Sequence, residues 1–217
     1  ENKFYPSRGL CMPLVDIQTL IDEQSIMKTV IAWGAARDSS DWERLRACYH
    51  ADGEMHIMWT SDSADTFVER LKARPPAPPG EHQKHLVSSP DIRVSKNRAV
   101  SECHITLYSR LMIDDIEFDF TAWIRFYDLF ERRDGVWRIK KRTAIYEKDR
   151  MDPVKSSDLT PDYFENMSLS EFPEACKFMC YRHSKRGLTP SPTLATAGSE
   201  IEATLKKEGM AWLESSS

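Results

Sequence analysis

The sequence lacks the apolar segments that mark a membrane protein or a secretory precursor. No apolar run approaches the roughly 18 residues that cross a bilayer, and the first ten residues contain no hydrophobic signal core. The chain has only 5 cysteines, an odd number without any C-x-x-C pair, which argues against a disulfide framework and a zinc ribbon. We therefore expect a soluble, cytoplasmic protein whose thiols, from Cys11 to Cys180, are reduced and buried.

Basic residues are not in excess, and this weakens the case for a nucleic-acid partner. Lysine and arginine number 30 against 34 acidic residues, so the net charge is -4 and neither half offers a concentrated cationic face. With 8 glycines, 12 prolines and 41% hydrophobic residues, the composition also excludes disordered and collagenous classes. A length of 217 residues predicts one domain with an appendage.

Helical periodicity dominates the first third of the chain. Apolar residues recur at helical spacing from Asp22 to about Arg37, and Ser40 to Glu43 has the spacing of a capping box that starts a shorter helix. A strand is predicted from Glu54 to Trp59 and a third helix from Ala64 to Ala73. A proline-rich loop at residues 75–79 ends this part of the chain.

The pattern changes to a period of two from Lys84 to Tyr146, which predicts an antiparallel meander of long strands. Turn residues at Ser95–Asn97, Asp114–Asp115 and Asp134–Gly135 separate the strands. The longest strands require strong twist or bulges, so the sheet is expected to curl.

A proline-punctuated extension follows, at residues 153–217. Two helical segments are predicted in it, about Leu169–Arg182 and Ser199–Leu213, and its large apolar side chains are too many for a disordered tail. We expect it to pack on the sheet, on a neighbouring subunit, or over the mouth of a pocket.

Helices followed by a curled antiparallel sheet predict an α+β fold in which the sheet wraps the long helix and leaves an apolar cone. The stretch IDEQSIMKTVIAWGAARDSSDWERLRACYHADGEM resembles the start of SnoaL-like proteins, a branch of the nuclear-transport-factor-2-like (NTF2-like) superfamily. Within it, ARDSSDWERL is similar to the D-x-x-D-W-x-x-L corner of scytalone-dehydratase-like proteins. The later stretches KHLVSSPDIRVSKNRAVSECHITL and YDLFERRDGVWRIKKRTAIYEKDRMDP resemble the central and final strands of the same family.

The resemblance implies an NTF2-like cone over residues 14–152, with N-terminal helices packed in a strongly curved, mainly antiparallel sheet and a C-terminal helical extension. The superfamily includes dehydratases, dehydrochlorinases, isomerases, polyketide cyclases, small subunits of ring-hydroxylating dioxygenases and non-catalytic binding modules. Because one fold serves so many functions, the site must carry the functional claim. The resemblance also implies a homo-oligomer, a dimer or trimer associated through an outer sheet face that carries residues such as Val100, Tyr108 and Tyr127.

Asp38 and His85 occupy positions where the dehydratase and dehydrochlorinase members carry a catalytic dyad. An aspartate that accepts a hydrogen bond from one imidazole nitrogen fixes the tautomer and leaves the other nitrogen to remove a proton. His85 is then the general base. The structural alternative is a helix-end cap for Asp38 and a hydrogen-bonded edge residue for His85.

His104 and Arg142 are the further catalytic candidates, and the resemblance implies that each faces the departing group. His104 shares its strand parity with Val100 and Glu102, so it is either a pocket acid or a residue of a polar face. Simple alternation places Arg142 on the solvated side of its strand, and a bulge is needed to turn it inward.

Four aromatic residues are the candidates to line the cone and bind substrate, although such residues also serve as core: Trp33, Trp59, Phe120 and Trp123. Trp33 lies one helical turn before Asp38, and an indole can stack on a planar ring but cannot exchange a proton. We predict no metal and no cofactor. His82 and His85 follow a proline-rich loop instead of lying on a helix, which argues against a metal site.

The leading hypothesis is a cofactor-independent dehydratase-type lyase that acts on a hydrophobic, polyketide-like or polycyclic small molecule by His/Asp general acid-base catalysis. A polyketide cyclase or an isomerase with the same dyad is an alternative, because all three reactions begin with proton removal. A non-catalytic NTF2-like binding or partner subunit is the rival from another class. The small subunit of a ring-hydroxylating oxygenase is a third reading, and it requires a larger metal-bearing subunit.

Overall fold

The computed structural model describes residues 16–215. Cys11 lies outside this range, as do residues 14, 15, 216 and 217 at the outer ends of the predicted domain and extension. The helices are α1 (Ile17–Ser39), α2 (Trp42–Ala47), α3 (Ala64–Lys72), α4 (Lys177–Ser184) and α5 (Glu200–Glu214), with 3-10 turns at Ser156–Asp158 and Glu174–Cys176. The strands are β1 (Tyr49–Ile57), β2 (Thr60–Ser63), β3 (His82–Val87), β4 (Asp91–Ser95), β5 (Arg98–Ile113), β6 (Ile116–Arg133), β7 (Val136–Pro153) and β8 (Ala195–Thr196).

The corner between the first two helices is built by local hydrogen bonds. Ser40 adopts the left-handed backbone conformation (φ 58°) and its N–H donates to the carbonyl of Ala36, which closes α1. Asp41, rather than the predicted Ser40, caps α2 by accepting a hydrogen bond from the N–H of Arg44. This corner leaves Asp38 in the last turn of α1, beside the sheet.

One curved sheet carries the rest of the domain, with strand order β2-β1-β7-β6-β5-β3. Strand β4 also pairs with β5, and β8 with β7. Only the β1–β7 and β7–β8 pairings are parallel among the strands described above. The α+β fold with N-terminal helices against a curved, mainly antiparallel sheet is therefore confirmed.

A bulge in β7 decides which of its side chains face inward. Leu129 pairs with Lys141 and Phe130 with Ile139, so Lys140 has no partner on β6 and the alternation of β7 reverses there. As a result Arg142 lies on the inner face, like Ile139 three residues earlier. The bulge that the sequence required for an inward Arg142 is present.

Arg142 is fully buried and is paired with Asp128 on β6. The guanidinium Nε and Nη2 donate to the two carboxylate oxygens over 2.7 and 2.6 Å, and neither side chain has exposed surface. The aromatic rings of Trp33 and Phe126 lie 4.7 and 4.4 Å from the guanidinium carbon. A charge pair thus occupies the centre of the core, enclosed by rings.

The extension packs on both faces of the sheet. Helix α4 covers the inner face, where the N–H of Met179 donates to Asp149 over 2.6 Å. Helix α5 covers the outer face, where Leu213 packs with Val100 and Tyr127. These two residues were expected on a subunit-association surface, but they are buried under a helix of their own chain. Oligomerisation itself stays a prediction.

The predicted helices of the extension are only partly correct. The first begins at Lys177 instead of Leu169, because Pro173 precedes a 3-10 turn and the segment before it is irregular. The second spans Glu200–Glu214, close to its prediction. None of the helices within residues 16–215 is long and apolar enough to cross a membrane.

We expect Asp128→Asn to lower the free energy of unfolding by about 3–5 kcal/mol, because it leaves Arg142 buried without a counter-ion. Urea denaturation measures the change. Asp119→Asn is the matched control, since Asp119 lies on the same strand and also binds an arginine, Arg110, with two hydrogen bonds, but at the surface. The control should change stability little. Equal losses in the two variants would contradict the central role of the buried pair.

Candidate active site

Asp38 and His85 form the hydrogen-bonded pair that the sequence predicts. The Nδ1 of His85 lies 2.6 Å from Asp38 Oδ1, and the backbone N–H of His85 donates to Asp38 Oδ2 over 2.9 Å. The carboxylate therefore holds both the ring and the backbone of His85. Because Nδ1 is engaged, Nε2 is the nitrogen available to a substrate.

Close packing of α1 on β3 produces this contact. A Cβ atom on Gly34 would lie 2.6 Å from Cγ2 of Val87, so the helix approaches the strand where the glycine leaves room. On β3, alternation gives Val87 and His85 the same inward direction. One helical turn beyond Gly34, Asp38 then meets His85.

Burial and hydrogen bonding act against each other on both members of the pair. Burial alone would raise the pKa of Asp38, but the hydrogen bonds from the side chain and backbone of His85 hold it below its ordinary value. Burial lowers the pKa of His85 from its ordinary 6.5, and the bond to Asp38 offsets only part of this effect. At neutral pH the pair is thus a carboxylate beside a neutral imidazole.

His85 opens onto a cavity between α1, the inner face of the sheet and α4. Its empty volume is about 570 Å³, including open solvent at the mouth. Most of the wall is apolar or aromatic. The lining residues are Trp33, Arg37, Met55, Ile57, Trp59, Phe67, Arg74, Gln83, His85, Ile105, Leu107, Ile124, Phe126, Tyr146, Met179, Arg182 and His183.

Two of the four predicted aromatic residues line this cavity. Trp33 stands with its edge toward His85, 5.7 Å between ring centres, and its indole N–H donates to the hydroxyl of Tyr49 over 2.8 Å. Trp59 packs against Phe67, 5.7 Å between ring centres, and the guanidinium of Arg74 lies 4.3 Å from the Trp59 ring. Because the N–H of Trp33 is already used, its contribution to a ligand is a ring surface.

The other two aromatic predictions are wrong about position. Phe120 is buried but does not line the cavity, and the guanidinium of Arg182 lies between, 5.2 Å from its ring. Trp123 points to the outer face, where Lys148 lies 4.4 Å above its ring. For Trp123 the physical reason is strand parity, since the even-numbered residues of β6 face inward.

His104 and Arg142 do not reach the cavity wall. His104 is exposed on the outer face of β5, while its neighbours Cys103 and Ile105 face inward. The polar-face alternative is therefore the one that the structure supports. Arg142 lies behind Trp33 and Phe126, where Asp128 neutralises it, and is absent from the lining.

Sequence reasoning missed several polar groups of the cavity. Tyr146 lies between the bulge at Lys140 and a second one at Glu147, so it faces inward with Arg142. Its hydroxyl oxygen accepts the N–H of Met58 over 3.0 Å, which leaves its own hydrogen to donate. Arg182 and His183 come from α4 in the extension. Nothing in the local pattern marks these residues, apart from the expectation that the extension covers a pocket mouth. Arg37, in the last turn of α1, is also part of the wall.

Comparison with known proteins adds the family context. A model of the SnoaL-like domain matches residues 18–143. Pea pathogenicity protein 2 of Fusarium vanettenii is 31% identical over 152 residues, which are 69% of this chain and 64% of that protein. The alignment therefore spans slightly less than two thirds of that relative's length.

Two solved structures share the fold at low sequence identity. A protein described as a scytalone dehydratase from Novosphingobium aromaticivorans is 18% identical, with a TM-score of 0.52 over 61% of this chain and 88% of its own. A hexachlorocyclohexane dehydrochlorinase, LinA-type3, from Novosphingobium barchaimii is 16% identical, with a TM-score of 0.54 over 68% of this chain and 99% of its own.

We expect the pKa of His85 to lie below its ordinary value of 6.5, and to be lower still in Asp38→Asn. Burial disfavours the imidazolium, and Asp38 is the group that favours it, so removing its charge lowers the pKa of His85 further. NMR of the ring C–H signals against pH, assigned with His85→Gln, measures both values.

Glu54→Gln is the control for this titration, because Glu54 binds another ring, that of His56, over 2.8 Å. This variant should leave the His85 titration unchanged. A pKa of His85 that rises, or does not move, in Asp38→Asn would show that the pair is not coupled in solution.

Proposed function

The chain belongs to the SnoaL-like domain family, and on that premise we propose that it is a cofactor-independent lyase of the dehydratase type. The observation that carries the proposal is a buried His85–Asp38 pair whose free nitrogen opens onto a largely apolar and aromatic cavity. A general base in such a place serves proton abstraction from carbon. The substrate is a flat, hydrophobic, oxygenated molecule of polyketide-like or polycyclic type.

His85 begins the reaction by removing a proton from a carbon next to a carbonyl group. The C–H electron pair forms a carbon–carbon double bond, and the bond from the neighbouring carbon to its hydroxyl group breaks. The departing hydroxyl takes the proton from the imidazolium and leaves as water. The products are the unsaturated carbonyl compound and water, and His85 returns to its neutral form.

Asp38 orients the base and stabilises its charged form. Two hydrogen bonds to one residue restrict rotation of the ring, so that Nε2 stays directed at the cavity. When the imidazolium forms, the carboxylate stands 2.6 Å away. Its lowered pKa keeps it ionised for this role at neutral pH.

Tyr146 is the proposed donor to the carbonyl oxygen of the substrate, in place of the predicted His104 or Arg142. Its hydroxyl oxygen accepts from a backbone N–H, so its hydrogen is free to polarise the oxygen on which negative charge develops. Burial raises the pKa of Tyr146 well above its ordinary value. The group therefore remains a neutral donor across the physiological range.

Elimination is favoured over cyclisation or isomerisation because both structural neighbours are named for eliminations, a dehydration and a dehydrochlorination. All three reactions share the first proton transfer. In this mechanism the family domain at residues 14–152 carries out the chemistry, and the extension at 153–217 closes the cavity.

We expect His85→Gln to reduce kcat/KM by about a hundredfold or more, since a positioned base contributes roughly 10²–10⁴-fold. The assay uses a panel of aromatic β-hydroxy ketones and follows the absorbance of the conjugated double bond. Exchange of the substrate C–H in D₂O reports proton abstraction separately from loss of water. Exchange without elimination would point to an isomerase or cyclase.

His104→Gln is the matched control, because it makes the same change on the outer face of β5, where the side chain is exposed. It should leave kcat/KM unchanged. Full turnover by folded His85→Gln and Asp38→Asn would overturn the dyad. Binding of the panel without turnover by the wild type would support the non-catalytic module instead.

A further inference from the structure

Positive charge gathers at one side of the cavity, and no carboxylate lines the cavity to balance it. Three arginines, Arg37, Arg74 and Arg182, contribute to the wall, and none of the lining residues is aspartate or glutamate. They come from α1, from the end of α3 and from α4, so the fold brings them together from distant parts of the sequence.

Arg182 is the most deeply placed of these cations, and it is incompletely bonded. The residue is 7% exposed, its Nη1 donates to Ser109 over a long 3.4 Å, and its buried Nε has no hydrogen-bond partner. The next residue, His183, is 5% exposed and its Nδ1 is also without a partner. A buried donor left unbonded is costly, so Nε of Arg182 indicates a missing acceptor. Nδ1 of His183 can donate to the same acceptor in the tautomer that carries its proton there.

The acidic groups that act electrostatically on Arg37 and Arg182 are engaged elsewhere. Asp38 binds His85, and Glu81 lies 3.8 Å from Arg186, beyond the cavity wall, while its second oxygen accepts the N–H of Met112. Glu81 still acts on Arg182 electrostatically, but its effect is smaller than that of burial and of the neighbouring arginines. The cluster therefore retains a net positive charge.

The pKa values reflect this imbalance. Burial lowers the pKa of Arg182 to about 10, and repulsion by Arg186 and Arg74 adds to the effect. Burial and the same cations lower the pKa of His183 to about 3, so its ring is neutral. The contrast is Arg142, whose guanidinium is equally buried but has a carboxylate partner, and whose pKa is raised.

We propose that this side of the cavity is an anion subsite, in which Arg182, with Arg37, Arg74 and His183, holds a carboxylate group of the substrate. A guanidinium binds a carboxylate through paired hydrogen bonds, and the unbonded Nε and Nδ1 supply donors. The rest of the wall is aromatic and apolar, which fits a ring system that carries the carboxylate. That the bound carboxylate belongs to a substrate rests on the proposed function. The binding itself does not depend on turnover.

Binding of 2-naphthoate, measured by isothermal titration calorimetry and by the fluorescence of the wall tryptophans, tests the subsite without any reaction. We expect 2-naphthoate to bind at least about tenfold more tightly than 2-naphthamide, its neutral analogue, and more tightly than 2-naphthyl phosphate. Arg182→Gln should weaken naphthoate binding by about tenfold or more and abolish its preference over the amide. Lys177→Gln, which removes from the same helix a partly exposed charge that pairs with Glu174 and lies outside the cavity lining, should bind as the wild type does.

The stability of the ligand-free protein separates binding from a structural role. Because Arg182 lacks a counter-ion, its loss should not lower the melting temperature. Naphthoate should raise the melting temperature of the wild type more than that of Arg182→Gln. Arg37 reaches the cavity from α1, so Arg37→Gln should also reduce the preference for naphthoate over the amide. This second variant makes the test independent of the integrity of α4.

Equal binding of acid and amide, or tighter binding of the phosphate, would overturn the carboxylate subsite. The subsite would also be overturned if Arg182→Gln lowers the melting temperature while Arg37→Gln keeps the full preference for naphthoate over the amide. His85→Gln should retain naphthoate binding, which distinguishes the two proposals. If the dyad proves inactive, the subsite still stands on the binding data, and if the acid shows no preference, the dyad is unaffected.

Discussion

The buried ion pair between Arg142 and Asp128 is the interaction on which the candidate site depends. It fixes the guanidinium at the centre of the core, where the rings of Trp33 and Phe126 pack against it. Trp33, in turn, stands edge-on to His85 and donates to Tyr49. The fixed guanidinium of Arg142 thus positions the ring of Trp33, which lines the cavity beside His85. Because desolvated charges are stable only with a well-placed partner, the bulge that turns Arg142 inward requires Asp128 on the adjacent strand.

The fold and the dyad could be predicted from the sequence because their signals are local or carried by family motifs. Asp38 lies in a capped helix corner, and His85 follows a proline-rich loop at the start of a strand, so both positions can be read from short stretches. The errors come from effects that a local pattern does not contain. Trp123 was a candidate for the cone as an aromatic residue, and the family resemblance offered His104 as a pocket acid, one of two alternatives. Strand parity directs both to the outer face. The bulge that turns Arg142 inward is visible only in the pairing with β6.

Arg182 and His183 could not be predicted as part of the cavity because they lie in the extension. Arg182 and His183 are about 100 residues from His85 in the sequence, and α4 brings them to the cavity through contacts with β5, β6 and β7. The segment matched by the family model ends at residue 143, before α4 begins. The proposed base therefore lies in the family domain, while a segment outside the match supplies the most buried cation of the cavity wall. In the proposed scheme, proton abstraction and recognition of the substrate's carboxylate depend mainly on different parts of the chain.

The two parts are nevertheless coupled through charge. Arg37 and Arg182 both lower the pKa of His85, so the cationic side of the cavity helps keep the base unprotonated while the site is empty. A carboxylate bound among these arginines would cancel part of their field and raise the pKa of His85 when the substrate is in place. A higher pKa makes the imidazole a stronger base, and Asp38 then stabilises the imidazolium that forms. The same unbalanced arginines that cost stability in the empty protein would therefore select an anionic substrate and strengthen the base that acts on it.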